Sequence, residues 1–180
     1  MKAKILSEPI DKMPSDTLVL SVFKDEKPLK GANGLVDWRL CGAISKLVMN
    51  KTVTGEFLES TLIVSNDRPR VPKIFIIGLG NSKEFNEEKL KEVSESLADS
   101  LKKINIKKVS LTVPGSSYFP QNYATSTEIL INAFYDKYEK RSNFLEMIIF
   151  ETGRRISMVC EGAKQAKLAL KNNLILTLDI

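Results

Sequence analysis

Lys73-Ile-Phe-Ile-Ile-Gly-Leu-Gly80-Asn-Ser82 has the pattern of a strand that turns through two glycines. Its run of apolar β-formers, Ile74–Ile77, suits a buried strand, and the glycines at 78 and 80 let the backbone leave that strand through a tight turn. An amphipathic pattern follows, with Leu90, Val93, Leu97, Leu101 and Ile104 on one face of a helix. A strand opening through glycines onto a helix is the building unit of an α/β domain.

The same alternation extends outward in both directions. Apolar, β-rich runs at Thr17–Phe23, Thr61–Val64, Val109–Val113, Leu145–Phe150 and Leu174–Leu178 predict further strands, with a weaker one at Ala3–Leu6. Between them, Val36, Leu40, Ile44, Leu47 and Val48 share one helical face and predict a helix over residues 34–50. Ile129, Leu130, Ala133 and Phe134 mark another, and Ile156, Val159, Cys160, Ala163 and Leu170 a last one. Asn86 before Glu87 and Glu88 reads as a helix start: its side chain can accept from orphan amides while the two acids complement the helix dipole. Strands separated by helices need crossover connections. The expected architecture is therefore a mixed, mostly parallel sheet with helices on both faces.

Composition narrows the chemistry. At 180 residues, 43% hydrophobic and 27% charged, the chain has the make-up of one soluble domain spanning residues 1–180. Its apolar runs fall far short of the roughly 20 residues that span a bilayer. The beginning, Met1-Lys-Ala-Lys-Ile-Leu-Ser-Glu-Pro9, lacks a signal-peptide pattern, so a cytoplasmic location with no membrane partner is expected. There is no histidine, which removes Ser-His-Asp triads, Cys-His pairs and histidine zinc sites. Cys41 and Cys160 stand singly within helical patterns and are expected to pack as small hydrophobes. Trp38, Phe23, Phe75 and Phe134 sit on helical or strand stripes and are likewise expected in the core.

The net charge of +5 modestly favours anionic partners. Lys102, Lys103, Lys107, Lys108, Lys140 and Arg141 are the candidates for weak nucleic-acid contact, set against an ordinary solvated surface. The acids, among them Asp16, Asp25, Asp37, Glu56, Glu59 and Glu151, are dispersed, form no ligand set by spacing, and are expected mostly at the surface. Neither a catalytic group nor a metal or other cofactor is expected from these patterns.

Ligands of open α/β sheets collect beyond the carboxyl ends of the strands, where loops and helix starts present unpaired amides. Three loops qualify: residues 28–34, 78–82 and 114–117. Gly31, Asn33, Gly34, Gly78, Gly80, Gly115 and Ser116 are thus the candidate residues for a phosphate-bearing ligand. The second loop has Lys83 where a GxGxxG fingerprint needs its third glycine, and there is no Walker GKS/T. Tyr118, Phe119 and Tyr123 cluster in what reads as an exposed loop, and are the candidates for a contact with another chain or a ligand.

The order Asp16-Thr-Leu-Val-Leu-Ser-Val-Phe23, the helix over 34–50, Thr54-Gly-Glu56, Lys73–Gly80 and the helix over 87–103 resembles the N-terminal domain of leucine aminopeptidases. So does Ala133-Phe-Tyr-Asp-Lys-Tyr-Glu-Lys140 further on. That resemblance implies a macro-domain-like three-layer sandwich. It also implies that the family's two metal ions belong to a C-terminal domain whose Asn-Thr-Asp-Ala-Glu-Gly-Arg motif does not occur here, so aminopeptidase activity is not carried over to these residues. What it implies instead is a non-catalytic role in association: a homo-oligomer, or a separate protein partner. Two alternatives stand beside it, binding of an ADP-ribose-like nucleotide in a macro-domain-like cleft and weak DNA binding.

Overall fold

The computed structural model describes the chain except for residues 9, 11–14, 65–70, 117–121, 139–143, 172 and 180. Seven strands form one sheet: β1 (Lys2–Leu6), β2 (Thr17–Val22), β3 (Ser60–Val64), β4 (Lys73–Gly78), β5 (Lys108–Leu111), β6 (Glu146–Phe150) and β7 (Ile175–Asp179). Their spatial order is β3-β4-β2-β5-β6-β1-β7. All neighbours run parallel except β3, which pairs antiparallel with β4 from Ser60 opposite Ile77 to Val64 opposite Lys73. Each strand lies within a residue or two of the run that predicts it, because a buried strand announces itself by consecutive β-branched and aromatic residues.

The central parallel strands β4, β2, β5 and β6 are covered on both faces, and side-chain alternation sorts them. Val19, Phe75, Ile77, Met147 and Ile149 enter one core, while Leu18, Leu20, Ile74, Ile76, Ile148 and Phe150 enter the other. The first core is roofed by α3 (Glu87–Lys103), α4 (Tyr123–Tyr138) and α5 (Ile156–Ala169), which contribute Leu97, Phe134 and Val159 among others. The second is roofed by two short helices, α1 (Gly31–Arg39) and α2 (Ala43–Met49), through Val36 and Ile44. As expected, the Asn86 side chain caps α3, accepting from Lys89 N at 2.9 Å.

Four expectations are corrected. The helix over 34–50 is two helices. The chain breaks at Cys41 and Gly42, both left-handed at φ 54° and 78°, and the buried Asp37 carboxylate caps the second helix by accepting from Ile44 N at 2.8 Å and Ser45 N at 3.0 Å. The break turns Cys41 out to solvent, whereas Cys160 is buried as expected. Trp38 is 69% exposed, stacking under Arg39 with the guanidinium 5.1 Å from its ring centre. Tyr123 does not stand in an exposed loop with Tyr118 and Phe119. It begins α4 and is 1% exposed, and Tyr118 and Phe119 lie outside the described residues.

Candidate functional site

The chain leaves β2 toward α1 on one face of the sheet, and leaves the neighbouring β5 toward α4 on the other. Connections that part to opposite faces open a crevice at the carboxyl ends of the strands. The structure has a cleft of about 270 Å³ there. Ser21 and Phe23 from the end of β2, Thr112 and Val113 beyond β5, and Phe150, Glu151 and Thr152 at the end of β6 line it. The segment after β1 adds Glu8 and Ile10, and the start of α1 adds Lys30 through Asn33.

Of the seven candidate ligand residues, Gly31, Asn33, Gly115 and Ser116 line this cleft. Lys30 ends its extended approach at ψ 172° and no side chain caps α1, so the helix starts with its first amides uncapped by any side chain beside the cavity. The Asn33 side-chain amide donates to Ser21 O at 2.7 Å, tying that start to the end of β2. Across the cleft, Ser116 N donates to Val113 O at 3.2 Å and closes the turn that carries Gly115.

Gly34, Gly78 and Gly80 do not line the cleft. Gly78 N donates to Glu59 O at 2.8 Å, Leu79 N to Val22 O at 2.9 Å and Gly80 N to Gly55 O at 2.9 Å. Those three amides are therefore engaged by the protein itself. A Cβ on Gly78 would stand 1.9 Å from Glu56 O, so this glycine permits close approach of the 55–57 segment. The turn is further tied to the loop after β2, where the Asp25 carboxylate accepts from Ser82 N at 2.9 Å and Ser82 Oγ at 2.7 Å. These bonds hold Asp25 below its ordinary range.

Three charged residues of the cleft escape a reading by motif: Glu26, Lys30 and Arg155. Arg155 is held in place by the Tyr123 hydroxyl, toward which its guanidinium donates, and by Glu151 with Nε 3.7 Å from the carboxylate. Glu151 is 9% exposed and so is Glu26, against the expectation that the acids lie at the surface. Burial pushes the Glu26 carboxyl up; Lys30 opposes that shift and Asp25 adds to it. The i, i+4 spacing of Glu151 and Arg155 on a helix start is visible in the sequence, but ordinary surface pairs share it.

Asp16 and Glu59 have structural roles. Asp16 accepts from Lys107 N at 3.1 Å and Lys108 N at 2.9 Å, and Glu59 caps the turn at Thr54 and Gly55. Of the basic candidates, Lys108 stands 3.9 Å from Glu146 and Lys102 donates to Lys137 O, while Lys140 and Arg141 lie outside the described residues. No cluster of acids and cysteines among the described residues is arranged to hold a metal ion. No helix among them is long and apolar enough to cross a membrane.

The chain is similar along 93% of its length to an Oceanobacillus iheyensis macrodomain solved with ADP, at a TM-score of 0.73 and 14% identity, covering 91% of that protein. It is also similar to a tomato leucine aminopeptidase variant, at a TM-score of 0.64 and 13% identity, over 94% of this chain and 37% of that one. These likenesses establish the macrodomain-like fold. In sequence, a probable cytosol aminopeptidase of Alkaliphilus metalliredigens is 25% identical over 112 residues, which are 62% of this chain and 22% of that relative. The chain thus matches less than a quarter of that curated relative's length. The family model for the N-terminal domain of the cytosol aminopeptidase family matches residues 19–142. Matched over more than half its length by that model, the chain belongs to the cytosol aminopeptidase family through this N-terminal domain.

Proposed function

We propose that this domain is a binding module whose cleft holds a small phosphate-bearing molecule. The observation that carries this reading is the convergence, over the carboxyl ends of β2, β5 and β6, of the α1 start with no side-chain cap, Lys30 and the Gly115–Ser116 turn. Helix starts bind anions because their N–H groups point outward with a positive partial charge, and Ser116, whose own amide is engaged by Val113 O, adds its hydroxyl. A macrodomain of the same fold was solved with ADP, which supports the choice of ligand class. The cavity of about 270 Å³ lies just under the roughly 300–1,000 Å³ typical of drug-sized ligands. A compact ligand, or one that leaves part of itself in solvent, fits best.

Isothermal titration calorimetry with ADP-ribose, ADP and inorganic phosphate tests this. Saturable binding to one site, weakened about tenfold by Lys30→Glu, is the expected result. No heat from any of the three at millimolar concentration overturns the reading.

A second reading, association with another protein chain or a second copy, is favoured by the open edge of the sheet. On β3, Leu62 is 45% and Val64 75% exposed, and no charge interrupts Ser60–Val64. Such an edge offers unpaired backbone groups to another strand. Light scattering across a concentration series should show a mass above that of one chain that falls with Val64→Lys. A constant single-chain mass at high micromolar protein sinks it.

A further inference from the structure

Glu26 lines the cleft, is 9% exposed, and its carboxyl has no hydrogen-bond or ion-pair partner among the described residues. Its neighbour Asp25 shows the contrast, with both oxygens engaged by Ser82. Though the residue is largely buried, its carboxylate oxygens keep access to the cleft, so their donor comes from water or a ligand there. Here the cavity is where such a donor fits. The charge around it points the same way: Glu8, Glu26 and Glu151 line the cleft against Lys30 and Arg155, and Arg155 is already engaged by Glu151 and the Tyr123 hydroxyl. An acid facing an anion site disfavours the anion unless a positive group stands between them. A ligand with a positive group beside its anion would pair with Glu26 and offset the acid locally, while Lys30 and the α1 start take the phosphate.

We propose that Glu26 is a specificity residue that receives an ammonium group, so that the cleft takes a small molecule carrying both a phosphate and an amine. This rests on reading the α1 start and the Gly115–Ser116 turn as the anion site, and it adds a second, oppositely charged subsite. O-phosphoethanolamine, ethyl phosphate and glycerol 3-phosphate are the probes, titrated calorimetrically into the full chain. They present an ammonium, a methyl and hydroxyls near the same phosphate.

O-phosphoethanolamine is expected to bind at least tenfold more tightly than ethyl phosphate, and Glu26→Gln should reduce that preference to within twofold. Equal binding of the two overturns the inference while leaving the anion site standing. Glycerol 3-phosphate matching O-phosphoethanolamine overturns it too, since a neutral donor would then suffice. A preference that survives Glu26→Gln places the ammonium elsewhere and is equally fatal. Failure of all three probes, together with ADP-ribose and phosphate, removes the anion site and this inference with it. The wild-type comparison does not depend on how any variant folds.

Discussion

The two faces of the sheet are built differently. One is roofed by α3, α4 and α5, of 17, 16 and 14 residues, whose inward residues make a continuous core with the strands. The other is roofed by α1 and α2, of 9 and 7 residues, and the core beneath them is smaller. Long helices lay several turns of apolar side chains on a sheet, whereas short ones leave their ends uncovered and need specific polar caps to stop. The thick face therefore carries stability. The thin face carries the features that cost it: the uncapped start of α1, exposed Trp38 and Met49, and the helix break capped by buried Asp37.

The sharpest attack on that contrast is Phe134→Ala on the thick face. Phe134 is fully buried and stacks on Tyr138 with ring centres 6.4 Å apart, so truncation should cost about 3–5 kcal/mol in urea unfolding. A loss under 1 kcal/mol would mean that the three-helix face is not the main core. Next in size is Asp37→Ala on the thin face. It removes the cap of α2 and leaves the amides of Ile44 and Ser45 unpaired, for an expected loss of about 2 kcal/mol. Circular dichroism should show the helix loss confined to a short segment, and an unchanged midpoint would return residues 34–50 to a single self-supporting helix.

Glu26→Gln runs in the opposite direction. Because burial raises the folded-state pKa above the unfolded one, the folded carboxyl holds its proton at pH values where the unfolded chain has lost it. Stability therefore falls as pH rises through that window, and below the ordinary glutamate range the two states bind the proton alike. The glutamine variant is expected to be the more stable at pH 7 and no different at pH 3. Denaturant midpoints at the two pH values decide it, and a destabilised variant at pH 7 would show a partner for the carboxylate. The smallest expected effect is Trp38→Ser: an exposed aromatic off the core should change stability by less than about 0.5 kcal/mol. A thermal melt showing a loss above about 2 kcal/mol would put Trp38 back among core residues.

How far the sequence reached differs between the same two faces. The thick face was legible almost residue by residue, since Leu90, Val93, Leu97 and Leu101 repeat at helical spacing and Asn86 marks where α3 starts. On the thin face, residues 34–50 keep one apolar stripe through a break, and the stripe gave no sign that Cys41 and Gly42 take left-handed conformations. The interaction that stops α1 and starts α2 runs from Asp37 to residues seven and eight further on, a spacing that no helix-face pattern contains. Gly78 was legible as a glycine that the turn requires, yet its reason is the Glu56 carbonyl pressed against it and not a ligand.

Local order in the sequence determined the strands, the longer helices and the parallel sheet, because burial against a sheet imposes periods of 2 and 3.6 on neighbouring residues. Family membership followed from the order of those same segments. Which loops meet was left to the tertiary structure. The cleft joins residues near 8, 21–33, 112–116 and 150–155, and its character rests on a carboxylate, Glu26, that is polar loop sequence by every local measure. Its burial arises only when those distant segments close around it, and a chain position carries no record of neighbours that folding brings from more than a hundred residues away.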